Sequence, residues 1–104
     1  MLALIKRLFG SGPEVDYAQL IKEGAVVIDV RSSAEFKEGH VPGALNIPLA
    51  AITSSFSKVR NKKTVIITCC ASGMRSATAK NILKAAGYEN VINAGSWMAL
   101  NSKL

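Results

Sequence analysis

The sequence predicts an α/β domain built on a mainly parallel sheet. Two near-continuous apolar runs, residues 25–30 and residues 64–68, have the length of strands and lack the polar–apolar alternation of a half-exposed strand. Such runs are typical of parallel strands that are buried on both faces. Segments with helical spacing separate them, and strands that alternate with helices indicate βαβ connections.

The first half of the chain contains two predicted helices, each with a polar residue at its start. Asp16 is placed to cap a helix over residues 17–22. Ser32 or Ser33 is placed to cap a second helix over residues 34–37. The strand at residues 25–30 therefore lies between two helices.

The second half continues the alternation. Two prolines and a glycine make the next stretch extended and turning, with a short strand near residues 44–47. Apolar residues recur at helical spacing over residues 49–59. After the strand at residues 64–68, we expect a helix over residues 76–86, a short strand over residues 90–93 and a final helical turn after residue 97.

The length of 104 residues and the apolar fraction of 49% indicate one globular domain. The formal net charge of +6 favours anionic partners, although an excess of charge also serves solubility alone. No aromatic residues are interleaved with the densest basic cluster, so we expect no nucleic-acid binding. That cluster consists of Lys58, Arg60, Lys62 and Lys63.

Residues 1–12 form a predicted extension ahead of a domain at residues 13–104. The longest apolar run of the extension, residues 1–5, is too short for a signal-peptide core, and we expect no transmembrane segment. Its apolar spacing is compatible with a short helix that docks on the domain or lies on a membrane surface, and otherwise the segment frays.

The two cysteines, Cys69 and Cys70, are neighbours in the sequence and do not form a disulfide framework. Bridging adjacent residues would need strained geometry. Free thiols indicate a reducing compartment, so we expect a cytoplasmic protein. Metal binding is not expected, because His40 is the one histidine and there is no Cys-x-x-Cys spacing.

The loop after the second strand has the features of an anion site. Ligands of open α/β sheets bind beyond the carboxyl ends of the strands, where Cys69 and Cys70 lie. A glycine-containing loop then leads to the start of a helix, which gathers backbone N–H groups around one point. These donors and Arg75 would stabilise a thiolate and an incoming anion. We therefore predict that Cys70 is reactive and that Cys69, which continues the strand, is structural.

Several other polar or aromatic residues have structural interpretations that outweigh catalytic ones. Arg31 is expected to pair with Asp29 or Glu35 and to tie the strand end to the next helix. His40 is expected to shape a turn through a hydrogen bond to the backbone instead of acting as a general base. Trp97 is expected to pack on the sheet or at the rim of the pocket.

Two motifs resemble those of single-domain rhodaneses. "CASGMRS", residues 70–76, resembles their active-site loop Cys-x-Ser-Gly-x-Arg-Ser. "DVRSSAEFKEGHVPGALNIPL", residues 29–49, resembles their second hallmark, and the two occur in the expected order. The resemblance covers roughly residues 14–100. It implies a rhodanese-like fold, a five-stranded mainly parallel sheet flanked by helices on both faces.

The resemblance also implies thiosulfate sulfurtransferase activity without a metal or organic cofactor. Cys70 would take the outer sulfur of a small anionic donor, thiosulfate or a persulfide, and pass it to cyanide or a thiol, including a thiol on a protein. The backbone N–H groups of residues 71–75 would cradle the persulfide sulfur, while Ser76 would cap the helix and donate a hydrogen bond to the sulfur. The implied substrate-binding residues are Ala71, Ser72, Gly73, Met74, Arg75 and Ser76.

Two alternatives remain open. Counting from Cys69 gives the Cys-x5-Arg spacing of cysteine phosphatases, although Thr68 precedes it and no acidic residue lies within the loop. The chain is also compatible with a non-enzymatic persulfide carrier or a regulatory binding module. One departure from the family is Ala94, which stands where many members have glycine, with Trp97 early in the following stretch.

Overall fold

A computed structural model describes residues 14–104 of the chain. The predicted extension at residues 1–12 lies outside the described residues. The described helices are α1 (Tyr17–Lys22), α2 (Ser33–Lys37), α3 (Met74–Ala85) and α4 (Trp97–Asn101). The described strands are β1 (Val26–Asp29), β2 (Leu45–Asn46), β3 (Val65–Cys70) and β4 (Asn90–Ser96). Two 3-10 helices, Leu49–Ser54 and Phe56–Lys58, connect β2 to β3.

The sheet is parallel throughout, in the strand order β2-β1-β3-β4. Over residues 14–104 it has four strands, whereas the resemblance implied five. The α/β class with helices on both faces is confirmed. The register places Asp29 of β1 beside Cys69 of β3 and Cys70 beside Ser96 of β4. The carboxyl ends of the three longest strands therefore meet at one edge of the sheet.

Two apolar cores cover the two faces of the sheet. The first joins Ile28, Ile66 and Cys70 to α3 and the 3-10 helices, including Leu83 and Ile52. The second joins alternate residues of the same strands to α1 and α4. Its members are Tyr17, Leu20, Val27, Val41, Ile67, Cys69, Ile92 and Leu100. Successive strand residues point to opposite faces, so Cys69 and Cys70 enter different cores.

The starts of α1 and α2 follow their capping residues. The side chain of Asp16 accepts a hydrogen bond of 3.0 Å from the backbone N–H of Gln19. Ser32 caps α2 through a capping box, in which its hydroxyl accepts from the Glu35 N–H and its own N–H donates to the Glu35 carboxylate. The prediction of a polar cap at each helix start is confirmed, with Ser32 chosen over Ser33.

The elements around the cysteines differ from the prediction in their limits. β3 extends through Cys70, and β4 continues to Ser96 with a register shift beside Thr68 and Cys69. Helix α3 begins at Met74, because Gly73 takes the N-cap position with a φ of 108°. Ser76 therefore lies in the first turn, and the expectation that it caps the helix is wrong. Apolar residues after Leu49 form 3-10 turns instead of an α-helix.

Among residues 14–104, no helix is long and apolar enough to span a bilayer.

Candidate active site

The Cys70 thiol lies at the carboxyl end of β3, beneath the loop that leads into α3. Its residue is 1% exposed. The backbone N–H of Gly73 donates to Sγ at 3.0 Å, and the N–H of Ser76 donates at 3.4 Å. The hydroxyl oxygen of Ser76 also lies 3.4 Å from Sγ. The loop therefore turns backbone donors towards the sulfur, as an anion site requires.

These contacts set the acidity of the thiol. Burial raises the pKa of Cys70, but hydrogen bonds outweigh it and hold the pKa below the ordinary value for a thiol. The groups that lower it are, in order of effect, the Ser76 hydroxyl and the backbone N–H groups of Ser76, Gly73 and Ser72. The environment therefore favours the thiolate, which is the nucleophilic form of cysteine.

Asn93 fixes the position of Ser76 and of the loop. The Ser76 hydroxyl donates to Asn93 Oδ1 at 2.6 Å, and the same oxygen accepts the Gly95 N–H at 2.9 Å. Asn93 Nδ2 donates to the Gly73 carbonyl at 3.3 Å. One amide side chain on β4 thus connects the nucleophile's hydrogen-bond partner to the loop around it.

Cys69 has the opposite environment to Cys70. It is fully buried in the core on the other face of the sheet. Burial and then the neighbouring carboxylate of Asp29 raise the pKa of Cys69 to about 12. Its thiol is therefore protonated at neutral pH and directed away from the loop.

Arg75 reaches from the first turn of α3 to Glu35 on α2. Its Nη1 and Nη2 donate to the two carboxylate oxygens of Glu35 at 2.8 and 3.0 Å, a bidentate ion pair that is partly exposed. The Cys70 thiolate is among the charges that raise the pKa of Arg75, after the Glu35 hydrogen bond. Arg75 directly precedes Ser76, whose N–H donates to the Cys70 Sγ, but the Arg75 guanidinium already holds a carboxylate.

A buried ion pair lies at the carboxyl end of β1. Arg31 donates to both carboxylate oxygens of the fully buried Asp29, at 2.7 to 3.1 Å. It also donates to the backbone carbonyls of Glu35 and Gly39, and its guanidinium lies 4.7 Å from the ring centre of Trp97. The predicted structural role of Arg31 and the packing role of Trp97 are confirmed.

His40 takes part in a turn, as predicted. Its Nδ1 lies 2.7 Å from the Phe36 carbonyl oxygen, and its ring stacks on the Phe36 ring with 3.7 Å between centroids. The hydrogen-bond partner is backbone, and no described residue links His40 to Cys70. Within residues 14–104, no group of three or more His, Cys, Asp or Glu side chains is arranged to hold a metal ion.

Two residues of the site were missed by sequence reasoning, Asn93 and Glu35. Asn93 ends the strand predicted over residues 90–93, so the rule that ligands lie at carboxyl ends of strands offered a signal for it. Glu35 was considered as a partner of Arg31, and no local spacing links it to Arg75. Of the predicted loop residues, Gly73 and Ser76 contact the Cys70 Sγ, whereas Met74 is 80% exposed.

Comparisons with known proteins agree with this geometry. The profile of the Rhodanese-like domain family matches residues 14–103. Thiosulfate sulfurtransferase PspE of Escherichia coli is 39% identical over 69 residues, which cover 65% of this chain and 66% of that protein. Thiosulfate sulfurtransferase 18 of Arabidopsis thaliana is 34% identical over 97 residues, which cover 78% of this chain and 71% of that protein.

Solved structures show the same fold. A "rhodanese with anions" from E. coli superposes with a TM-score of 0.70 at 35% identity, over 73% of this chain and 91% of that one. The human single-domain sulfurtransferase TSTD1 superposes with a TM-score of 0.74 at 26% identity, over 90% of this chain and 99% of that one. The chain belongs to the rhodanese-like domain family.

Proposed function

We propose that this protein is a sulfurtransferase that carries a sulfane sulfur on Cys70. The donor is thiosulfate or a persulfide, and the acceptor is cyanide or a thiol, including a protein thiol. The single observation that carries the proposal is the Cys70 Sγ, which accepts backbone N–H bonds from Gly73 and Ser76 at the carboxyl edge of a parallel sheet. Relatives that bear the name thiosulfate sulfurtransferase support it.

The first half-reaction needs a thiolate and an electrophilic sulfur. The Cys70 thiolate attacks the outer sulfur of thiosulfate, a new S–S bond forms, and the S–S bond of the donor breaks. Sulfite leaves with that electron pair, and Cys70 retains a persulfide anion. The lowered pKa of Cys70 raises the thiolate fraction available for this attack.

The second half-reaction returns the enzyme to its starting form. A nucleophilic acceptor attacks the terminal sulfur of the persulfide, and the S–S bond breaks with its electron pair on Cys70. Cyanide becomes thiocyanate, and a thiol becomes a persulfide. Because the enzyme holds the sulfur between two separate encounters, ping-pong kinetics are expected.

The loop supplies the electrostatic stabilisation. The first-turn N–H groups of an α-helix have no acceptor within the helix, and α3 begins beside the sulfur. Gly73 and Ser76 donate to Sγ, and the other amides of the loop and first turn, from Ala71 to Arg75, are the candidates for the terminal sulfur. A persulfide anion would thus be held by fixed dipoles.

The placement of Cys69 favours this chemistry over hydrolysis of a phosphate ester. A phosphatase that uses the Cys-x5-Arg spacing needs Cys69 as nucleophile. That thiol is fully buried on the opposite face of the sheet and its pKa is raised to about 12. Cys69 and Cys70 are both free thiols.

Mass spectrometry of the intact protein tests the proposal. After incubation with thiosulfate we expect a mass gain of one sulfur atom on Cys70, which is lost when cyanide is added. Cys70→Ser should abolish the gain, and the matched control Cys69→Ser should retain most of it. The proposal fails if the wild-type protein gains no sulfur from thiosulfate or from a persulfide, or if the gain depends on Cys69.

A comparison of acceptors separates the enzyme from a dedicated carrier. An enzyme turns over repeatedly with cyanide or a small thiol, and its double-reciprocal plots are parallel. A carrier would keep its sulfur in the presence of both acceptors and release it to one partner protein.

A further inference from the structure

Arg75 is the cationic residue of the loop that follows Cys70, and its guanidinium is paired with Glu35. We infer that Glu35 weakens the use of dianionic donors such as thiosulfate and makes persulfides of thiols the preferred sulfur source for Cys70. This inference rests on the proposed Cys70 persulfide chemistry and adds the class of donor to it. Glu35 determines donor specificity indirectly, because it pairs with the Arg75 guanidinium.

Two ion pairs balance the charges of the two arginines at this edge of the sheet. Arg31 is paired with Asp29, and Arg75 is paired with Glu35 through two hydrogen bonds. The Arg75 hydrogen bond, followed by the Ser32 backbone N–H, lowers the pKa of Glu35 to about 2, so its carboxylate is charged throughout the neutral range. Two cations thus face two anions at this edge of the sheet.

The charge balance near Cys70 matters because the first half-reaction brings two negatively charged groups together. The Cys70 thiolate carries one negative charge and thiosulfate carries two, so their approach is repulsive without a compensating cation. Arg75 directly precedes Ser76, whose N–H donates to the Cys70 Sγ, and the Arg75 guanidinium is already compensated by Glu35. A protonated thiol persulfide brings no charge on its sulfur atoms and meets much less repulsion.

The rim of the site also suits a donor that carries carbon. Met74 follows β3 and its loop, and Met98 follows the end of β4; the two residues are 80% and 66% exposed. The chain just before each methionine's helix makes a close contact, since a Cβ on Gly73 would lie 3.3 Å from the Cα of Gly95. Methionine side chains adapt to varied apolar groups, which a persulfide offers and thiosulfate does not.

The transfer from a persulfide balances without an oxidant. The Cys70 thiolate attacks the outer sulfur of the protonated persulfide, a new S–S bond forms, and the S–S bond of the donor breaks. The donor leaves as a thiolate with that electron pair. The proton then passes from the new Cys70 persulfide to the departing thiolate, which gives a Cys70 persulfide anion and a free thiol.

Glu35→Gln is the informative variant. Glutamine serves the same capping box as glutamate, so the start of α2 is retained while the charge is removed. Glu38→Gln is the matched control, because Glu38 follows the same helix, is exposed and changes the net charge by the same amount. Comparing the two variants separates the charge at the site from the net charge of the molecule.

The experiment measures the second-order rate constant for sulfur transfer to Cys70 by intact-protein mass spectrometry. The donors are thiosulfate and cysteine persulfide. At physiological ionic strength we expect Glu35→Gln to raise the thiosulfate rate constant about five- to tenfold and the persulfide rate constant less than about twofold. Glu38→Gln should match the wild type with both donors. The thiosulfate gain should shrink in about 1 M salt, where charges are screened within about 3 Å.

The outcomes distinguish this inference from the proposed function. If both donors load Cys70 and Glu35→Gln leaves the ratio of their rate constants unchanged, the inference is wrong and the sulfurtransferase proposal stands. The inference is also wrong if Glu38→Gln shifts the ratio as much as Glu35→Gln. If neither donor loads wild-type Cys70, the proposed function fails, and this inference fails with it.

Discussion

At the scale of single residues, two adjacent cysteines have pKa values shifted in opposite directions, because successive side chains of a strand point to opposite faces of the sheet. Cys69 faces a closed apolar core, and its pKa is raised to about 12. Cys70 faces the start of α3, where donors from Ser76 and Gly73 outweigh burial and lower its pKa. The choice of Cys70 as the proposed nucleophile thus follows from which side of the sheet each side chain enters.

Ser76 should control the pH dependence of Cys70. Burial raises the Cys70 pKa, and the Ser76 hydroxyl is the largest of the contributions that lower it. Ser76→Ala removes that hydroxyl, so we expect the pKa of Cys70 to rise. The rate of alkylation by iodoacetamide falls as the pH drops through the pKa, so its pH profile should move to higher pH, and at pH 7 the variant should react more slowly.

Thr78→Ala is the control for the Ser76 variant, because Thr78 is exposed on the same helix and its hydroxyl bonds only to the Met74 carbonyl. Its alkylation profile should match that of the wild type. An unchanged profile in Ser76→Ala would show that the backbone N–H groups alone set the acidity of Cys70.

Sequence patterns predicted the surroundings of those residues whose hydrogen-bond partners lie nearby in the chain. Cys70, Arg31 and His40 bond to groups within eight residues of themselves, so spacing and turn chemistry predict their surroundings. The Glu35–Arg75 pair joins residues that are 40 positions apart. Only the relative position of α2 and α3 brings these two together, and single-sequence patterns carry no information about it.

At the scale of elements, the junction between β3 and α3 creates the site. Gly73 adopts a φ of 108° at the N-cap and lies against Gly95 of β4. This conformation turns the chain so that the first turn of α3 points at the sulfur. From the sequence, this helix is predicted to begin at residue 76. A glycine is typical of a loop, and no sequence pattern marks an N-cap residue in the left-handed conformation.

Gly73→Ala should weaken both the fold and the nucleophile. A side chain at positive φ costs about 1–3 kcal/mol in the free energy of unfolding. The new Cβ would also press on the Gly95 Cα at 3.3 Å, and the Gly73 N–H would move from Sγ. We expect a lower melting temperature and slower alkylation of Cys70 at pH 7.

Gly87→Ala is the control that separates the backbone strain of a side chain at positive φ from a change in the loop around Cys70. Gly87 follows α3 and has a φ of 103°, and a Cβ added there would meet no atom within 4 Å, so this position carries the strain without the contact. The melting temperature of the variant should fall while Cys70 reactivity is unchanged. Equal loss of reactivity in both glycine variants would mean that general loosening, and not the loop conformation, slows Cys70.

The strand limits show why element boundaries were less predictable than element types. The apolar runs correctly indicate β1 and β3, because buried parallel strands are apolar on both faces. The extension of β4 to Ser96 runs through Ala94 and Gly95, which are weak strand formers, and it exists because Cys69 and Cys70 of β3 pair with it. That pairing is a tertiary effect.

At the scale of the whole molecule, the densest basic cluster lies at the opposite end of β3 from Cys70. Lys58, Arg60 and Lys63 are exposed and precede β3, whereas Cys70 ends it. Six strand residues rise about 3.3 Å each, so the two ends are roughly 17 Å apart, about twice the screening length at physiological ionic strength. This cluster therefore does not by itself link the net charge of +6 to an anionic substrate at Cys70.

Neutralising Lys58, Arg60 and Lys63 should leave the rate constant for sulfur transfer from thiosulfate unchanged. The triple variant Lys58→Gln, Arg60→Gln, Lys63→Gln removes half of the formal net charge of +6. Lys62 is retained, because its ammonium lies 4.0 Å from the Tyr88 ring centre and donates to the Ala86 carbonyl. At physiological ionic strength we expect the rate constant for thiosulfate to stay within about twofold of the wild type, because screening removes charges beyond about 8 Å. A fall of about five- to tenfold in this rate constant would be as large as the rise expected from Glu35→Gln. It would show that the electrostatic field of the whole molecule, and not the charge balance beside Cys70, governs the approach of the donor.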